Sequence, residues 1–193
     1  MTLNDFCIDN SSVALGFSGG VDSSYLLYAA IKSGAKVRAY YVKSAFQPKF
    51  ELDDAQRLAE ELGADLIVLP VDVLSEKNIV ENPADRCYYC KRKIFSTIAA
   101  AAKADGFSLL IDGTNASDEV DDRPGMRALG ELSVRSPLRE CGLTKTAIRE
   151  LSHEAGLFTW NKPAYACLAT RIPAGDTITA DKLSGTERAE NYM

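Results

Sequence analysis

The sequence predicts an α/β protein built on a doubly wound parallel sheet. Short apolar, β-branched runs alternate along the chain with longer segments of helical apolar spacing. Glycines follow these helical segments, where a left-handed residue commonly ends a helix. The 193 residues are 46% hydrophobic and 25% charged, which is enough to bury one main core. We expect one domain over residues 1–175 and the start of a C-terminal portion over 176–193.

The predicted elements follow in chain order. Strands are expected near 13–17, 37–42, 65–71 and 108–112, with a weaker one near Val134. Helices are expected at about 22–33, 51–62, 89–104 and 145–155. They are followed by Gly34, Gly63, Gly106 and Gly156, and Thr144 is a typical cap for the last helix. Such sheets bind ligands beyond the carboxyl ends of their strands, so the loops there are the first candidates for function.

Composition narrows the setting of the protein. Lys and Arg number 22 against 27 Asp and Glu, a net charge of −5, which disfavours a broad contact with nucleic acid. The sequence shows no apolar run of membrane-spanning length and no export signal. In a reducing compartment, five cysteines favour metal binding or nucleophilic chemistry over disulfides. We expect a cytoplasmic protein that binds neither nucleic acid nor membranes.

The string Ser18–Ser24 (SGGVDSS) joins the first predicted strand to the first predicted helix. Its glycines let the backbone approach an anion, and consecutive N–H groups at a helix start form a donor nest for phosphate. Serine hydroxyls add donors, and Asp22 is placed to help hold Mg²⁺. The glycine–lysine pattern of a Walker loop is missing. We expect a pyrophosphate cradle for ATP formed by Ser18, Gly19, Gly20, Val21, Asp22, Ser23 and Ser24.

Two further strand-end loops are expected beside this cradle. The loop after the second strand carries Lys43, which the topology places near the adenine and ribose. The loop after the fourth strand supplies a glycine and oxygen ligands that suit a nucleotide or a magnesium-bound pyrophosphate. We favour a function for Gly113, Thr114 and Asn115. Glu119 and Asp121 are equally consistent with a solvated acidic loop that caps the next helix, and Asp118 and Asp122 are further candidates for contact with the ligand.

A second constellation surrounds Cys87 and Cys90. Two thiols three positions apart at a predicted helix start can face one metal, and four neighbouring cations favour thiolates. The pair alone fits half a zinc site, a redox pair or two buried thiols. Cys167 is the expected third thiol, in a loop with prolines at both ends. Three cysteines around a 4Fe-4S cluster leave one iron without a protein ligand, open to a sulfide or a substrate.

The Ser18–Ser24 string resembles the loop of the PP-loop ATP pyrophosphatases, which include NAD and GMP synthetases and tRNA-thiolating enzymes. This resemblance implies that ATP is cleaved between its α and β phosphates and that AMP is joined to a substrate oxygen. Ammonia, an amine or a sulfur nucleophile then displaces AMP.

Three further segments narrow the resemblance to one family. The segments 83–91 (PADRCYYCK), 122–125 (DRPG) and 167–173 (CLATRIP) look like those of the pyridinium-3,5-biscarboxylic acid mononucleotide sulfurtransferases. The match covers roughly residues 12–193. It implies that one pyridinium carboxylate is adenylated, that sulfur displaces AMP, and that the thiocarboxylate serves the nickel-pincer cofactor of lactate racemase.

The family resemblance also implies roles for single residues. Cys167 matches the position whose sulfur is sacrificed in some members, whereas members with the extra cysteine pair hold an iron–sulfur cluster through all three thiols. Cys87 and Cys90 place this chain with the second kind. We expect catalytic roles for Cys167 and Asp22. Apart from the resemblance, Arg171 is a cation four residues after the expected sulfur ligand, which is consistent with contact to a carboxylate or phosphate and also with a plain surface arginine. The expected partners are a small mononucleotide substrate and a sulfide donor, in a homo-oligomer.

Members of the family continue beyond the helical segment 179–193 into a second α/β portion with arginines for the substrate phosphate. We therefore expect this chain to be truncated and to lack those ligands. Poor binding of the mononucleotide beside normal binding of ATP is the expected consequence.

Three kinds of protein stay open on these observations. A sulfurtransferase needs the loop and the three cysteines in one site. An amide-forming synthetase, similar to NAD or GMP synthetases, leaves the cysteines without a shared task. A non-enzymatic nucleotide or iron–sulfur binding module binds ATP without turnover. A tRNA-thiolating enzyme is a further alternative, which the negative charge disfavours.

Overall fold

The computed structural model describes residues 1–118 and 124–192. The described strands form one parallel sheet in the order β3-β2-β1-β4. In chain order they are β1 (Ser12–Gly16), β2 (Lys36–Lys43), β3 (Asp65–Pro70) and β4 (Leu110–Ile111). The predicted α/β class is confirmed, and each of the four main strands lies within two residues of its expected start. The weaker strand expected near Val134 is reduced to one parallel bridge between Ile111 and Arg135.

Helices connect the strands and pack on both faces of the sheet. Those of the described residues are α1 (Leu3–Asp9), α2 (Val21–Lys32), α3 (Lys49–Leu62), α4 (Lys77–Val80), α5 (Arg86–Ala104), α6 (Pro124–Glu131), α7 (Pro137–Glu140), α8 (Lys145–Glu154) and α9 (Ala180–Tyr192). Two 3-10 turns lie at Phe158–Asn161 and Leu168–Arg171. Across these described ranges, we find no helix with the length and apolar character needed to cross a membrane.

Four of these helices match the predicted ones, and the caps follow the sequence signals. The Thr144 hydroxyl accepts a hydrogen bond from the Ala147 N–H at 3.3 Å, as expected for the cap of α8. Gly63 ends α3 at a φ of 61°. The helix α5 begins at Arg86, three residues before the predicted start. Arg86 is buried and donates to the distant Ala169 carbonyl, a tertiary contact that the local sequence pattern does not indicate.

The sheet reverses its winding direction at β1. The chain crosses from β1 to β2 and β3 on one side, and it returns to β4 on the other side of β1. The loops that leave β1 and β4 therefore diverge, and they open a crevice beyond Gly16, the last residue of β1. This crevice is the position where a doubly wound sheet binds its ligand.

Two apolar clusters cover the two faces of the sheet, as a period of two along β1 requires. Val13 and Leu15 belong to the first cluster, with residues of α1, α2, α3 and α8. Ala14 belongs to the second cluster, with residues of α5 and of the segment that follows Cys167. Phe17 and Val21, which flank the turn after β1, therefore pack on one face of the sheet, and the segment that follows Cys167 packs on the other face.

Candidate active site

The loop between β1 and α2 has the geometry of an anion nest. Gly19 has a left-handed φ of 71°, and a Cβ there would lie 3.1 Å from the Ala55 side chain, so the position favours glycine. The Ser18 and Ser23 hydroxyl oxygens lie 3.1 Å apart and stabilise the turn. No side chain of the described residues caps α2 at Gly20, so the first amides of the helix are available to an anionic ligand.

The loop after β4 packs directly against this nest. A Cβ at Gly113 would lie 2.9 Å from the Ser23 nitrogen, so only glycine allows the two loops to come so close. The buried Asp112 carboxylate accepts hydrogen bonds from the Thr114 hydroxyl at 2.5 Å and from its N–H at 3.3 Å, which shapes the loop. The Asn115 side-chain amide then reaches Asp22 Oδ1 at 3.4 Å. The Asp-Gly-Thr-Asn segment therefore supports the nest from the side of β4.

Two lysines that the sequence analysis missed reach the nest from distant segments. Lys145 is the first residue of α8, and its Nζ lies 2.5 Å from Asp22 Oδ2. The Nζ of Lys162 lies 2.6 Å from Asp54 Oδ2 and 3.4 Å from the Gly19 carbonyl oxygen. These amines bring positive charge to the nest, as the lysine of a Walker loop does elsewhere. Their only sequence signal is position: one follows a helix cap, and the other precedes the Cys167 loop.

A cavity of about 490 Å³ opens at the carboxyl end of β1. Its wall contains the loop residues Ser18, Gly20 and Asp22 together with Cys167. The volume lies in the ordinary range of small-molecule sites. Further lining residues include both missed lysines and two tyrosines of β2: Lys145, Lys162, Tyr40 and Tyr41. The predicted nucleotide loop and the predicted sulfur residue therefore share one cavity.

The three cysteines of interest lie close enough to affect one another electrostatically. The pKa of the Cys90 thiol is raised to about 12, first by burial and then by the neighbouring Cys167 and Cys87 thiols. Burial also raises the pKa of Cys167. The buried Arg86 guanidinium acts in the opposite direction on both thiols. It donates to the Ala169 carbonyl at 2.9 Å, and this bond ties the Cys167 loop to the start of α5.

The donors of this group are thiols, the ligand type that iron–sulfur clusters and zinc sites use. Within residues 1–118 and 124–192, no three His, Cys, Asp or Glu side chains are gathered closely enough to hold one metal ion. All five cysteines of the chain are free thiols, and Cys87 is the exposed member of the three. Cys87, Cys90 and Cys167 together supply the thiol ligands that such clusters use.

The other predicted site residues take varied positions. Val21 lines the cavity, whereas Ser24 is fully buried in α2 and its hydroxyl finds no hydrogen-bond partner among the described residues. Lys43 donates to the Gln47 carbonyl, and it is Gln47 that lines the cavity. Arg171 pairs with Glu190 of α9 at 2.6 Å. Three acidic candidates, Glu119, Asp121 and Asp122, lie outside the described residues, whereas Asp118 accepts from the Asn115 N–H at 3.0 Å.

Fold and loop together define an ATP-using enzyme of the PP-loop class. Residues 12–83 match the family described as Queuosine biosynthesis protein QueC. Among solved structures, NMN synthetase from Francisella tularensis gives a TM-score of 0.66 at 16% identity over 98% of this chain and 90% of that one. The U34-tRNA thiolase NcsA from Methanococcus maripaludis, solved with its 4Fe-4S cluster, gives 0.63 at 17% identity over 95% and 74% of the two chains. These likenesses show the fold.

Sequence identity assigns the chain to a family, which structural similarity alone does not do. The chain is 37% identical over 187 residues to the pyridinium-3,5-bisthiocarboxylic acid mononucleotide synthase of Lactiplantibacillus plantarum. The match covers 96% of this chain and 68% of that synthase. The chain belongs to the family of these synthases, which confirms the resemblance read from its cysteine and PP-loop motifs.

Proposed function

We propose that the protein uses ATP to adenylate a carboxylate of pyridinium-3,5-biscarboxylic acid mononucleotide and then replaces AMP by sulfur. The observation that carries this proposal is the single cavity of about 490 Å³ shared by the Ser18–Ser24 loop and Cys167. An amide-forming synthetase has no use for a thiol at that position. The thiocarboxylate product would serve biosynthesis of the nickel-pincer cofactor of lactate racemase, in the cytoplasm.

In the first step, a substrate carboxylate oxygen attacks the α-phosphorus of ATP. The bond from that phosphorus to the oxygen bridging the β-phosphate breaks, and pyrophosphate leaves with its electron pair. The uncapped amides of α2 and the amines of Lys145 and Lys162 would stabilise the leaving pyrophosphate. The Asp22 carboxylate, to which the Asn115 side-chain amide donates, offers the oxygen ligands that Mg²⁺ prefers, and the ion would supply charge neutralisation for the triphosphate.

In the second step, a sulfur nucleophile attacks the carbonyl carbon of the acyl adenylate. The bond from that carbon to the AMP oxygen breaks, AMP leaves, and a thiocarboxylate remains. We infer that Cys87, Cys90 and Cys167 hold a 4Fe-4S cluster, which when bound would supply a sulfide at the iron that has no protein ligand. Cys167 lies in the cavity wall, so sulfur held there faces the nucleotide loop.

The test incubates the protein with ATP, the mononucleotide and a sulfide source under anaerobic conditions. We expect AMP and pyrophosphate by chromatography and a thiocarboxylate by mass spectrometry. Asp22→Ala should abolish pyrophosphate release, and Cys167→Ser should keep ATP binding but lose the thiocarboxylate. ADP as the main product overturns the proposal. Conversion of Cys167 to dehydroalanine after one turnover shows instead that its own C–S bond is broken.

A further inference from the structure

The Glu190 carboxylate of α9 is held by two donors, one for each oxygen. Arg171 Nε donates to Glu190 Oε1 at 2.6 Å, and the Tyr165 hydroxyl donates to Glu190 Oε2. These two bonds lower the pKa of Glu190, so the group is an anion. Two-point binding of a carboxylate by a guanidinium and a hydroxyl is an arrangement that proteins also use for ligand carboxylates.

Both donors belong to the segment that carries Cys167. Tyr165 lines the cavity together with Cys167. Arg171 Nη1 donates to the Ala166 carbonyl at 2.5 Å, and its guanidinium carbon lies 4.7 Å from the centre of the Tyr165 ring. The ring of Tyr165 in turn packs edge-on against Phe50 at 5.0 Å. The two donors are therefore held in place by contacts that do not involve Glu190.

Glu190 itself is the replaceable partner in this arrangement. Its side chain is 24% exposed and that of Arg171 is 32% exposed, a setting where ion pairs contribute little to stability. Leu183 is the one buried residue of α9 among the described residues. The last turns of the helix are attached mainly by polar contacts, of which Glu187 to the Lys49 N–H at 2.8 Å is another.

We propose that Tyr165 and Arg171 form a carboxylate-binding site at the rim of the cavity, occupied by Glu190 in the free protein and by a carboxylate of the substrate in the complex. The inference rests on the proposed function, since that substrate carries two carboxylates on one ring. One carboxylate is adenylated at the nucleotide loop. The other displaces Glu190 and fixes the ring beside Cys167.

The test measures binding of pyridine-3,5-dicarboxylate by calorimetry, without ATP, to the wild type, Glu190→Gln and Glu187→Gln. Glu190→Gln should bind the probe about tenfold more tightly, because the neutral amide competes less for Arg171. Glu187→Gln is the matched control one turn earlier on the same helix, and it should bind like the wild type. Tyr165→Phe in the Glu190→Gln background should lose most of the gain, since the ring stays and one donor is removed.

Equal affinities of the wild type and Glu190→Gln overturn the inference, and so does absence of probe binding in every variant. An equal gain in Glu187→Gln also overturns it, because loosening of α9 alone then explains the effect. Circular dichroism of each variant identifies any that fail to fold, and Tyr165→Phe in the wild-type background then serves as the second test by weaker binding. Failure of AMP formation in the reaction assay removes the proposed function but leaves this binding result intact.

Discussion

At the scale of single residues, the cations around the nest come from side chains far away in sequence. Lys145 lies 123 positions from Asp22, and Lys162 lies 143 positions from Gly19. Buried or half-buried amines near a developing negative charge stabilise it more than exposed ones do, because water screens them less. The side chain of Lys162 is 13% exposed and that of Lys145 is 34% exposed. Under the proposed function, these two amines would stabilise the leaving pyrophosphate.

Lys145→Ala tests this assignment. Removal of a cation that acts in the transition state should reduce pyrophosphate release by about 10²-fold to 10³-fold, with little loss of stability. Lys49→Ala is a matched control: Lys49 is likewise the first residue of its helix, but its amine pairs with Asp53 at 2.8 Å in an exposed position. The assay is pyrophosphate release. Equal rates in the two variants would exclude Lys145 from the reaction.

The sequence predicted the anion nest but not the lysines beside it, because the nest is formed by neighbouring residues and the lysines are distant in sequence. The nest at Ser18–Ser24 is a local arrangement of glycines, hydroxyls and a helix start, so its chemistry can be read from adjacent residues. Lys145 and Lys162 look like ordinary surface lysines in the sequence, and only tertiary packing brings them to the nest. Arg171 shows the opposite case, because its charge was recognised but its partner Glu190 was not.

At the scale of elements, the contact between α2 and the loop after β4 holds the two sides of the candidate site together. Gly113 lies against the backbone of Ser23 in the first turn of α2, so the strand-end loops form one unit. The sequence suggested a nucleotide contact for this glycine. The structure shows a packing role, in which the missing side chain allows Asn115 to approach Asp22.

Gly113→Ala measures this packing. The new Cβ would lie 2.9 Å from the Ser23 nitrogen and 3.1 Å from its Cα, so backbone must move. We expect a loss of about 1–3 kcal/mol in the free energy of unfolding and weaker ATP binding. Gly130→Ala in α6 is the control, since a Cβ there meets nothing within 4 Å and should be neutral or stabilising. Urea unfolding measures the stability of each variant, and calorimetry measures its ATP binding. Equal stability and equal ATP affinity of the two variants would contradict the packing role.

The helix α5 shows why boundaries matter for chemistry. The sequence placed its start at residue 89, between the two cysteines, whereas the helix begins at Arg86. Cys87 and Cys90 therefore lie within its first two turns at a spacing of three, which puts both on one face of the helix. Propensity could not locate this start, because the buried Arg86 is held by long-range bonds to the Cys167 segment.

At the scale of the whole molecule, the two faces of the sheet carry separate parts of the site. The first cluster supports α2 and α8, which hold the nest and Lys145. The second cluster supports α5 and the Cys167 segment, and it also includes Ile178 and Leu183. Residues 176–192 therefore pack onto the main domain, while the expected role of 176–193 as the start of a second portion stays a prediction. The site forms where both faces meet the carboxyl end of β1.

The last prediction concerns the metal group that this meeting point would hold. Anaerobic reconstitution should give about four irons and four sulfides per chain, with the broad visible absorption of thiolate-bound clusters. Cys87→Ser, Cys90→Ser and Cys167→Ser should each lose most of the iron, because each variant would remove one of the three thiolate ligands of the proposed cluster. Cys7→Ser is the control, since Cys7 is buried in the first cluster, on the other face of the sheet. Iron content and absorption spectra are the measurements. Full iron in Cys167→Ser would exclude Cys167 as a cluster ligand and favour sacrifice of its own sulfur. Zinc in place of iron would indicate a structural site and remove the sulfur-carrying role from all three residues.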